Sequence, residues 1–99
     1  MDEKYTESPD MISWVDGEQS KLIVQFTIIN CENENITLMM NENSCYLSAS
    51  ADDAEYVATF SFLQAVKPAE TKATYEDGYL TIVAPFKDPL INYVNVPVE

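Results

Sequence analysis

The amino-acid sequence predicts an all-β protein, a compact antiparallel β-sandwich of about seven strands. Three observations indicate this fold. Short runs of residues alternate between apolar and polar side chains along most of the chain, which is the period of a half-buried strand. Clusters of turn-forming residues separate these runs at short intervals. Finally, the sequence shows no convincing helical period.

The first half of the chain predicts four strands. The first lies in "MISWV", and the turn "DGEQ" separates it from the second, "KLIVQFTII". The side chains that share the apolar face of the second strand are Leu22, Val24, Phe26 and Ile28. The cluster "NCENEN" predicts a turn before the third strand, "ENITLMM". A hairpin through "MNENS" then leads to the fourth strand, "CYLSASA".

Three further strands follow. The run "EYVATFSFL", rich in aromatic and β-branched residues, comes after the tight acidic connection "ADDAE". The crossing "QAVKPAE" leads to "TKATYE" and "YLTIVA", which form a hairpin around Asp77-Gly78 because glycine supplies the positive φ of a two-residue turn. Leu80 and Ile82 then share one face, and Pro85 ends the strand because proline cannot donate to a ladder.

The length of 99 residues and the 46% hydrophobic content predict one domain with a real core. We expect residues 1–10 to be a short flexible arm and residues 11–87 to be the sandwich domain. Residues 88–99 are expected to be a C-terminal tail, which contains a V-x-V motif.

The charge of the chain limits its partners. Seventeen acidic residues against five basic ones, with no histidine, give a net charge of −12. Such a surface repels phosphate backbones and anionic lipids, so we expect no nucleic acid and no membrane among the partners. The polar, acidic start "MDEKYTESPD" does not resemble a secretory signal. We therefore expect a cytoplasmic protein in which Cys31 and Cys45 are reduced thiols.

The residues that carry chemistry are few, and we expect no enzyme, no cofactor and no metal site. Cys31 and Cys45 should lie at opposite ends of a hairpin, too far apart to bridge or to chelate. Three clustered carboxylates offer oxygen ligands for Ca²⁺, but the glycine and the spacing of a calcium loop are missing, so a solvated turn is the expected alternative. These carboxylates belong to Asp52, Asp53 and Glu55.

The segment from Tyr56 to Pro85 resembles the latter half of the α-crystallin domain of small heat-shock proteins. The resemblance rests on the aromatic strand "FSF", the loop "VKPAE" and the run "ATYEDGYLTIVAP". The residues that match the family's Gly-x-Leu-x-Ile-x-x-Pro motif position by position are Gly78, Leu80, Ile82 and Pro85. The earlier strands match the family by order and length rather than by motif.

The resemblance implies two sets of binding residues. A groove between two strands would be formed by Ile36, Leu38, Met40, Ala73 and Tyr75. Plain packing in the core is the alternative interpretation of all five. The tail is similar to the Ile-x-Ile tail by which members of the family dock into a neighbour's groove, and its docking residues would be Val94, Val96 and Val98.

The resemblance implies an ATP-independent, stress-response chaperone, a holdase that would bind unfolded or extended segments in apolar edge grooves. The sequence also departs from the family: the arm is short, Ile29-Asn30-Cys31 stands where a Leu-Pro-Gly corner is expected, and "ADDAE" cannot hold an exchanged strand. A monomer or weak homodimer is therefore expected rather than a large oligomer. These departures leave two alternatives open, a CS-type co-chaperone or scaffold that binds one folded partner, and a sandwich related to one appended to an ATPase.

Overall fold

The computed structural model describes residues 5–88, 94 and 96–99, and it confirms the predicted β-sandwich. The strands are β1 (Tyr5–Glu7), β2 (Asp10–Asp16), β3 (Lys21–Thr27), β4 (Cys31–Met40), β5 (Ser44–Ala51), β6 (Ala54–Ser61), β7 (Lys72–Glu76) and β8 (Tyr79–Pro85). A 3₁₀ turn, Pro68–Glu70, precedes β7. No helix in this part of the chain is long and apolar enough to cross a membrane.

The strands form two sheets of four. One sheet has the order β1-β6-β5-β4 and the other has the order β2-β3-β8-β7. All neighbouring strands pair antiparallel except β1 and β6, which pair parallel from Tyr5↔Ala54 to Glu7↔Tyr56. Because β1 covers only the start of β6, residues 57–61 of β6 also lie at an edge of their sheet.

The core lies between the sheets and follows the predicted alternation. On β3 and β8, the register Val24↔Ile82 and Phe26↔Leu80 places these buried side chains on one inner face. The opposing sheet contributes Leu47 and alternate small residues of β5. No polar or charged residue among those described is buried. Burial of each large apolar side chain contributes roughly 1.5–3 kcal/mol, so these central strands supply most of the packing energy.

The start of β4 differs from the prediction. The turn predicted in "NCENEN" is confined to the first residue of that cluster, because β4 begins at Cys31 and its register with β5 shifts between Cys31 and Ile36. Asn30 alone makes the turn, at a φ of 58°, and its carbonyl oxygen accepts a hydrogen bond from the amide of Asp52 at 3.1 Å. Asparagine tolerates this left-handed conformation, so the residues after it can extend at once.

The N-terminal segment also differs from the expectation. Residues 5–7 fall within the predicted flexible arm, yet they form β1, and β2 begins at Asp10. The sequence Tyr-Thr-Glu has no apolar alternation, and in the structure all three side chains are exposed. Its strand conformation rests on backbone pairing with β6 rather than on burial. Residues 1–4 lie outside the described residues.

The two Asp-Gly pairs adopt different conformations. Asp77 and Gly78 form a two-residue turn with φ of 53° and 84°, and the Gly78 carbonyl accepts a hydrogen bond from the amide of Ile28 at 2.8 Å. Asp16-Gly17 instead opens a longer connection over residues 17–20. There Ser20 takes the positive φ, 54°, and the Asp16 carboxylate accepts a hydrogen bond from the amide of Gln19. The first turn is the hairpin that the sequence predicts.

Candidate binding grooves

The sandwich is open along two sides, because each sheet ends in edge strands whose outer flanks are not fully paired by any of residues 5–88. On one side the edge strands are β4 and β7, and we call the cleft between them the β4–β7 groove. On the other side β2 faces the later part of β6. Edge strands carry unpaired N–H and C=O groups, so both sides are places where an added strand can bind.

The β4–β7 groove has a volume of about 190 Å³. Its walls and floor are formed by Asn33, Ile36, Leu38, Ala73, Tyr75 and Leu80. Pairing of Ile36 with Ala49 and of Leu38 with Leu47 sets the β4 wall on the inner face of its sheet. Pairing of Tyr75 with Leu80 does the same for the β7 wall. The groove therefore exposes the rim of the hydrophobic core.

Four of the five predicted groove residues lie together in this groove, namely Ile36, Leu38, Ala73 and Tyr75. Met40 does not line it. Met40 pairs with Cys45 at the far end of the hairpin and lines a separate shallow depression that includes Met39 and Tyr46. The reason is one of length, since β7 has five residues and β4 has ten.

The Tyr75 wall is fixed by a hydrogen bond that its hydroxyl donates to the carbonyl oxygen of Ile28. Burial of the ring raises the pKa of the Tyr75 hydroxyl, so the group stays neutral at physiological pH. At the start of β4, the Cys31 thiol donates a hydrogen bond to the Ser50 carbonyl oxygen at 3.3 Å. Burial likewise raises the pKa of Cys31. Both of these titratable groups are therefore uncharged near neutrality.

Leu80 is the motif residue that lines this groove. Gly78 makes the turn after β7, and a Cβ at this position would come within 3.5 Å of the Ile29 side chain. Leu80 and Ile82 are buried between the two sheets. Pro85 is the last residue of β8. They shape the hairpin and the floor of the groove rather than its open surface.

The opposite side carries a larger cavity that sequence reasoning missed. Its volume is about 260 Å³, and its lining includes Val15, Leu22, Phe60, Phe62 and Phe86. The rings of Phe60 and Phe62 meet edge to face with centroids 5.7 Å apart. The alternation of Phe60 and Phe62 was visible in the sequence. That β2 faces this part of β6 across the sandwich is a property of the topology, which the alternation does not reveal.

The remaining predicted sites are placed as follows. Cys31 and Cys45 are free thiols, and burial raises the pKa of the Cys45 thiol. Asp52 and Asp53 form the connection between β5 and β6. In the part of the chain that the structure describes, no group of three or more cysteines and carboxylates is arranged to hold a metal ion.

The tail residues Val94, Val96 and Val98 are exposed, with 84%, 79% and 98% of their surface accessible. Residues 89–93 and 95, which belong to the predicted tail, lie outside the described residues. The docking of this V-x-V segment into a neighbouring groove stays a prediction.

Comparison with known proteins shows that the chain is similar to solved structures. No protein-family model matches the chain, and no curated protein sequence matches it. Heat shock protein 16.0 from Schizosaccharomyces pombe is similar, with a TM-score of 0.74 and 11% identity over 94% of this chain and 99% of that one. HSP18.5 from E. histolytica gives a TM-score of 0.75 and 14% identity over 93% and 99% of the two chains.

A third solved structure, a small heat-shock protein from Xylella fastidiosa, gives a TM-score of 0.70 and 9% identity over 94% of each chain. That protein has a distinct high-order structure. At these identities the likeness concerns the fold. The chain has the fold of small heat-shock proteins across nearly its whole length.

Proposed function

We propose that this chain, which has the fold of small heat-shock proteins, is an ATP-independent chaperone module. It binds unfolded or extended segments of other proteins in the β4–β7 groove and so keeps them from aggregating. The observation that supports this proposal is the groove itself, a cleft lined mostly by apolar side chains between two edge strands whose outer flanks none of the described residues pairs, with the rim of the core at its floor.

The geometry suits an extended segment of little defined sequence. Such a segment gains main-chain hydrogen bonds by adding to an edge strand, whatever its side chains are. Alternate side chains then point into the groove, against Ile36 and Leu38 on one wall and Tyr75 on the other. Each apolar side chain buried there contributes roughly 1.5–3 kcal/mol, and the cost of ordering the segment offsets part of this gain. The expected binding is weak and reversible.

The charge of the chain supports the same role. A net charge of −12 keeps the protein and its complexes apart from one another, which maintains their solubility. The chain contains only two glycines, so it offers no glycine-rich loop to cradle the phosphates of ATP. Binding and release would then depend on mass action alone.

The test is an aggregation assay with several heat-labile client proteins, followed by light scattering. The full chain should suppress aggregation at a molar ratio below one for more than one client. Leu38→Glu, which places a carboxylate on the groove wall, should lose this activity. Thr37→Glu is the matched control, because Thr37 is exposed on the other face of the same strand. A folded Leu38→Glu variant with full activity would contradict the groove as the client site.

A second candidate function is a scaffold or co-chaperone that binds one folded protein. It is favoured by the connection between β5 and β6, which consists of Asp52 and Asp53 only and has no room for a strand exchanged with a partner. This candidate predicts no effect in the aggregation assay together with one tightly bound partner in a pull-down. We expect the chain itself to be a monomer or a weak homodimer in either case.

A further inference from the structure

The β2 edge and its cavity form a binding feature separate from the β4–β7 groove. β2 pairs with β3 on one flank, and none of the described residues pairs with its other flank. That free flank runs beside the cavity of about 260 Å³, which Ser13, Trp14 and Val15 help to line. A strand that adds to β2 would therefore lie at the mouth of an apolar cavity.

The two faces of β2 differ in chemistry. Met11, Ser13 and Val15 pair with the inward residues of β3, so they share the inner face of the sheet, yet all three are exposed. Ser13 and Val15 line the cavity. The other face carries Ile12 and Trp14, which are 59% and 46% exposed. The same outer face carries an aspartate at each end of the strand, Asp10 and Asp16.

The cavity has the size and the lining for one aromatic side chain. Phe60, Phe62 and Phe86 surround it. A closed apolar cavity of about 150 Å³ is enough to hold benzene, so about 260 Å³ leaves room for a ring that enters from an added strand. Gln64 also lines the cavity, and its Oε1 atom is buried without a hydrogen-bond partner.

The two aspartates determine which segment can add to β2. A strand that pairs along β2 with its central residue opposite Ser13 places two residues, six positions apart, directly opposite Asp10 and Asp16. Opposite charges at such cross-strand positions are favourable, and like charges are unfavourable. Lysine or arginine at both positions would therefore pair with the carboxylates on the outer face, where Asp10 lies across from Thr27 of β3 and Asp16 from Lys21. The central residue of the same strand points to the inner face, into the cavity.

We propose that the free edge of β2 binds an extended segment of a basic protein partner, in which two Lys or Arg residues six positions apart flank an aromatic residue midway between them. The basic residues pair with Asp10 and Asp16, and the aromatic ring enters the cavity beside Phe60 and Phe62. This inference does not rest on the proposed chaperone function, since its residues lie on the opposite side of the sandwich.

The charges disfavour the other possible occupants. A second copy of this chain that pairs β2 with β2 about Ser13 sets Asp10 opposite Asp16 at both ends, and each chain has a net charge of −12. The chain's own tail has no basic residue after Asp88, ends on Glu99, and contains Pro97, which cannot donate to a ladder.

The test is a titration of the full chain with the end-blocked peptide Lys-Ile-Thr-Phe-Thr-Ile-Lys, read by the fluorescence of Trp14. This residue is the chain's single tryptophan, and it stands at the rim of the cavity. The peptide reads the same in both directions, so either strand orientation fits. Replacement of both lysines by glutamate should weaken binding roughly 2- to 30-fold. Replacement of the phenylalanine by alanine should weaken it by about 10-fold or more.

Variants of the protein locate the site. Asp10→Asn with Asp16→Asn should abolish the preference for the lysine-ended peptide, while the amide oxygen introduced at position 16 can still accept the hydrogen bond from Gln19. Ser13→Phe fills the cavity from within and should remove the advantage of the aromatic peptide over its alanine version. Leu38→Glu, in the β4–β7 groove, should leave the titration unchanged. Melting temperatures establish that each variant is folded.

Four results would overturn the proposal. Equal binding of the lysine- and glutamate-ended peptides would remove the role of the aspartates, and loss of binding in Leu38→Glu would place the peptide in the other groove. A dimer of the free chain that Ser13→Phe dissociates would make a second copy the occupant. Binding of indole that Ser13→Phe abolishes, without binding of the peptide, would assign the cavity to a small aromatic ligand.

Discussion

The two open sides of the sandwich are built from the same parts and differ in what they present. On the β4–β7 side the apolar residues Ile36 and Leu38 are partly buried, and neutral groups such as the Tyr75 hydroxyl complete the wall. On the β2 side the apolar residues Ile12 and Trp14 are exposed, and aspartates mark both ends of the strand. We expect a groove of the first kind to accept many sequences and a side of the second kind to select by charge.

The largest effect on stability is expected from truncating the buried residues that form the floors of the two sides. Leu80 lies under the β4–β7 groove and Phe86 lies under the opposite cavity, with 4% and 6% of their surfaces exposed. Leu80→Ala should lower the free energy of unfolding by about 2–5 kcal/mol and Phe86→Ala by about 3–5 kcal/mol. Urea unfolding measures both, with Tyr79→Ala, on the exposed face of β8, as the control.

These losses are a large share of a total stability of about 5–15 kcal/mol. If Phe86→Ala left the urea midpoint unchanged while Leu80→Ala lowered it, Phe86 would not be part of the stabilising core. The cavity beside β2 would then not rest on the core as the β4–β7 groove does. An unchanged midpoint for Leu80→Ala would contradict the register of β7 and β8.

The V-x-V tail should distinguish the sides by its destination. If it docks into the β4–β7 groove of a neighbour, removal of the residues after Tyr93 should abolish self-association and leave the domain folded. Each valine so buried contributes roughly 1.5–3 kcal/mol, and added salt should strengthen the association because screening weakens the repulsion between acidic chains. Sedimentation at several salt concentrations measures this.

The matched variants then assign the tail to one side. Leu38→Glu should prevent the association and Ser13→Phe should not. Dissociation by Ser13→Phe alone would move the tail to the β2 side, and a chain that stays monomeric at high salt and high concentration would show that the tail does not dock. Unfolding of the truncated protein would mean that the tail belongs to its own sandwich.

A smaller effect is expected from the hydrogen bond that anchors the β4–β7 wall. Tyr75→Phe removes the hydroxyl that donates to Ile28 and keeps the ring. The free energy of unfolding should fall by about 0.5–1.5 kcal/mol, with client binding retained because the apolar wall remains. Tyr46→Phe, an exposed position on β5, is the control in the same unfolding experiment. Loss of client binding in Tyr75→Phe would show that the hydroxyl itself contacts clients.

The smallest effect is a dependence on alkaline pH that both sides share. Burial raises the pKa of Tyr75 beside the groove, and it also raises the pKa of Tyr56, near which the carboxylates of Glu7, Asp53 and Asp10 act in the same direction. The folded state holds these protons more tightly than the unfolded state, so their contribution is fully present below the ordinary tyrosine pKa of 10.0 and is lost as the pH rises through the folded value.

Stability should therefore decline above about pH 9, where the buried Cys45 thiol, whose ordinary pKa is 9.0, begins to contribute with the same sign. Urea midpoints between neutral and alkaline pH measure the decline. Tyr56→Phe and Tyr75→Phe should each make it shallower. A decline that neither substitution changes would assign the alkaline sensitivity to other groups.

Much of the fold could be predicted because burial on one face imposes a period on the sequence. The strand around Val24 and Phe26 and the two-residue turn at Gly78 can each be predicted from a few neighbouring residues. β1 could not be predicted in this way, since its three polar residues gain only backbone pairing with β6. The early part of β4 was not predicted because its asparagines favour turns locally, whereas here Cys31 pairs with Ala51 and an irregularity in the register leads on to Ile36.

The candidate sites were predictable only in part. The family resemblance of the hairpin predicted that Ile36, Leu38 and Tyr75 lie in one groove. This was possible because the strand order of a fold determines which strands lie at the edges of its sheets. Met40 was misplaced because the length of β7 limits the groove, and that length depends on tertiary pairing. The cavity beside β2 was missed because alternation assigns a residue to a face and does not say which edges meet across two sheets.

The parallel pairing of β1 with β6 has a consequence for the order of events during folding. β1 is made first, but its partner Ala54 follows Tyr5 by 49 positions, which is the difference of the two numbers. Closing so long a loop costs entropy, and three residues of pairing return little of it. We therefore expect β1 to dock last and to detach first, with amide protons that exchange with solvent before those of β3. Each detachment frees the start of β6, so the full length of that strand becomes available, for brief intervals, to another chain.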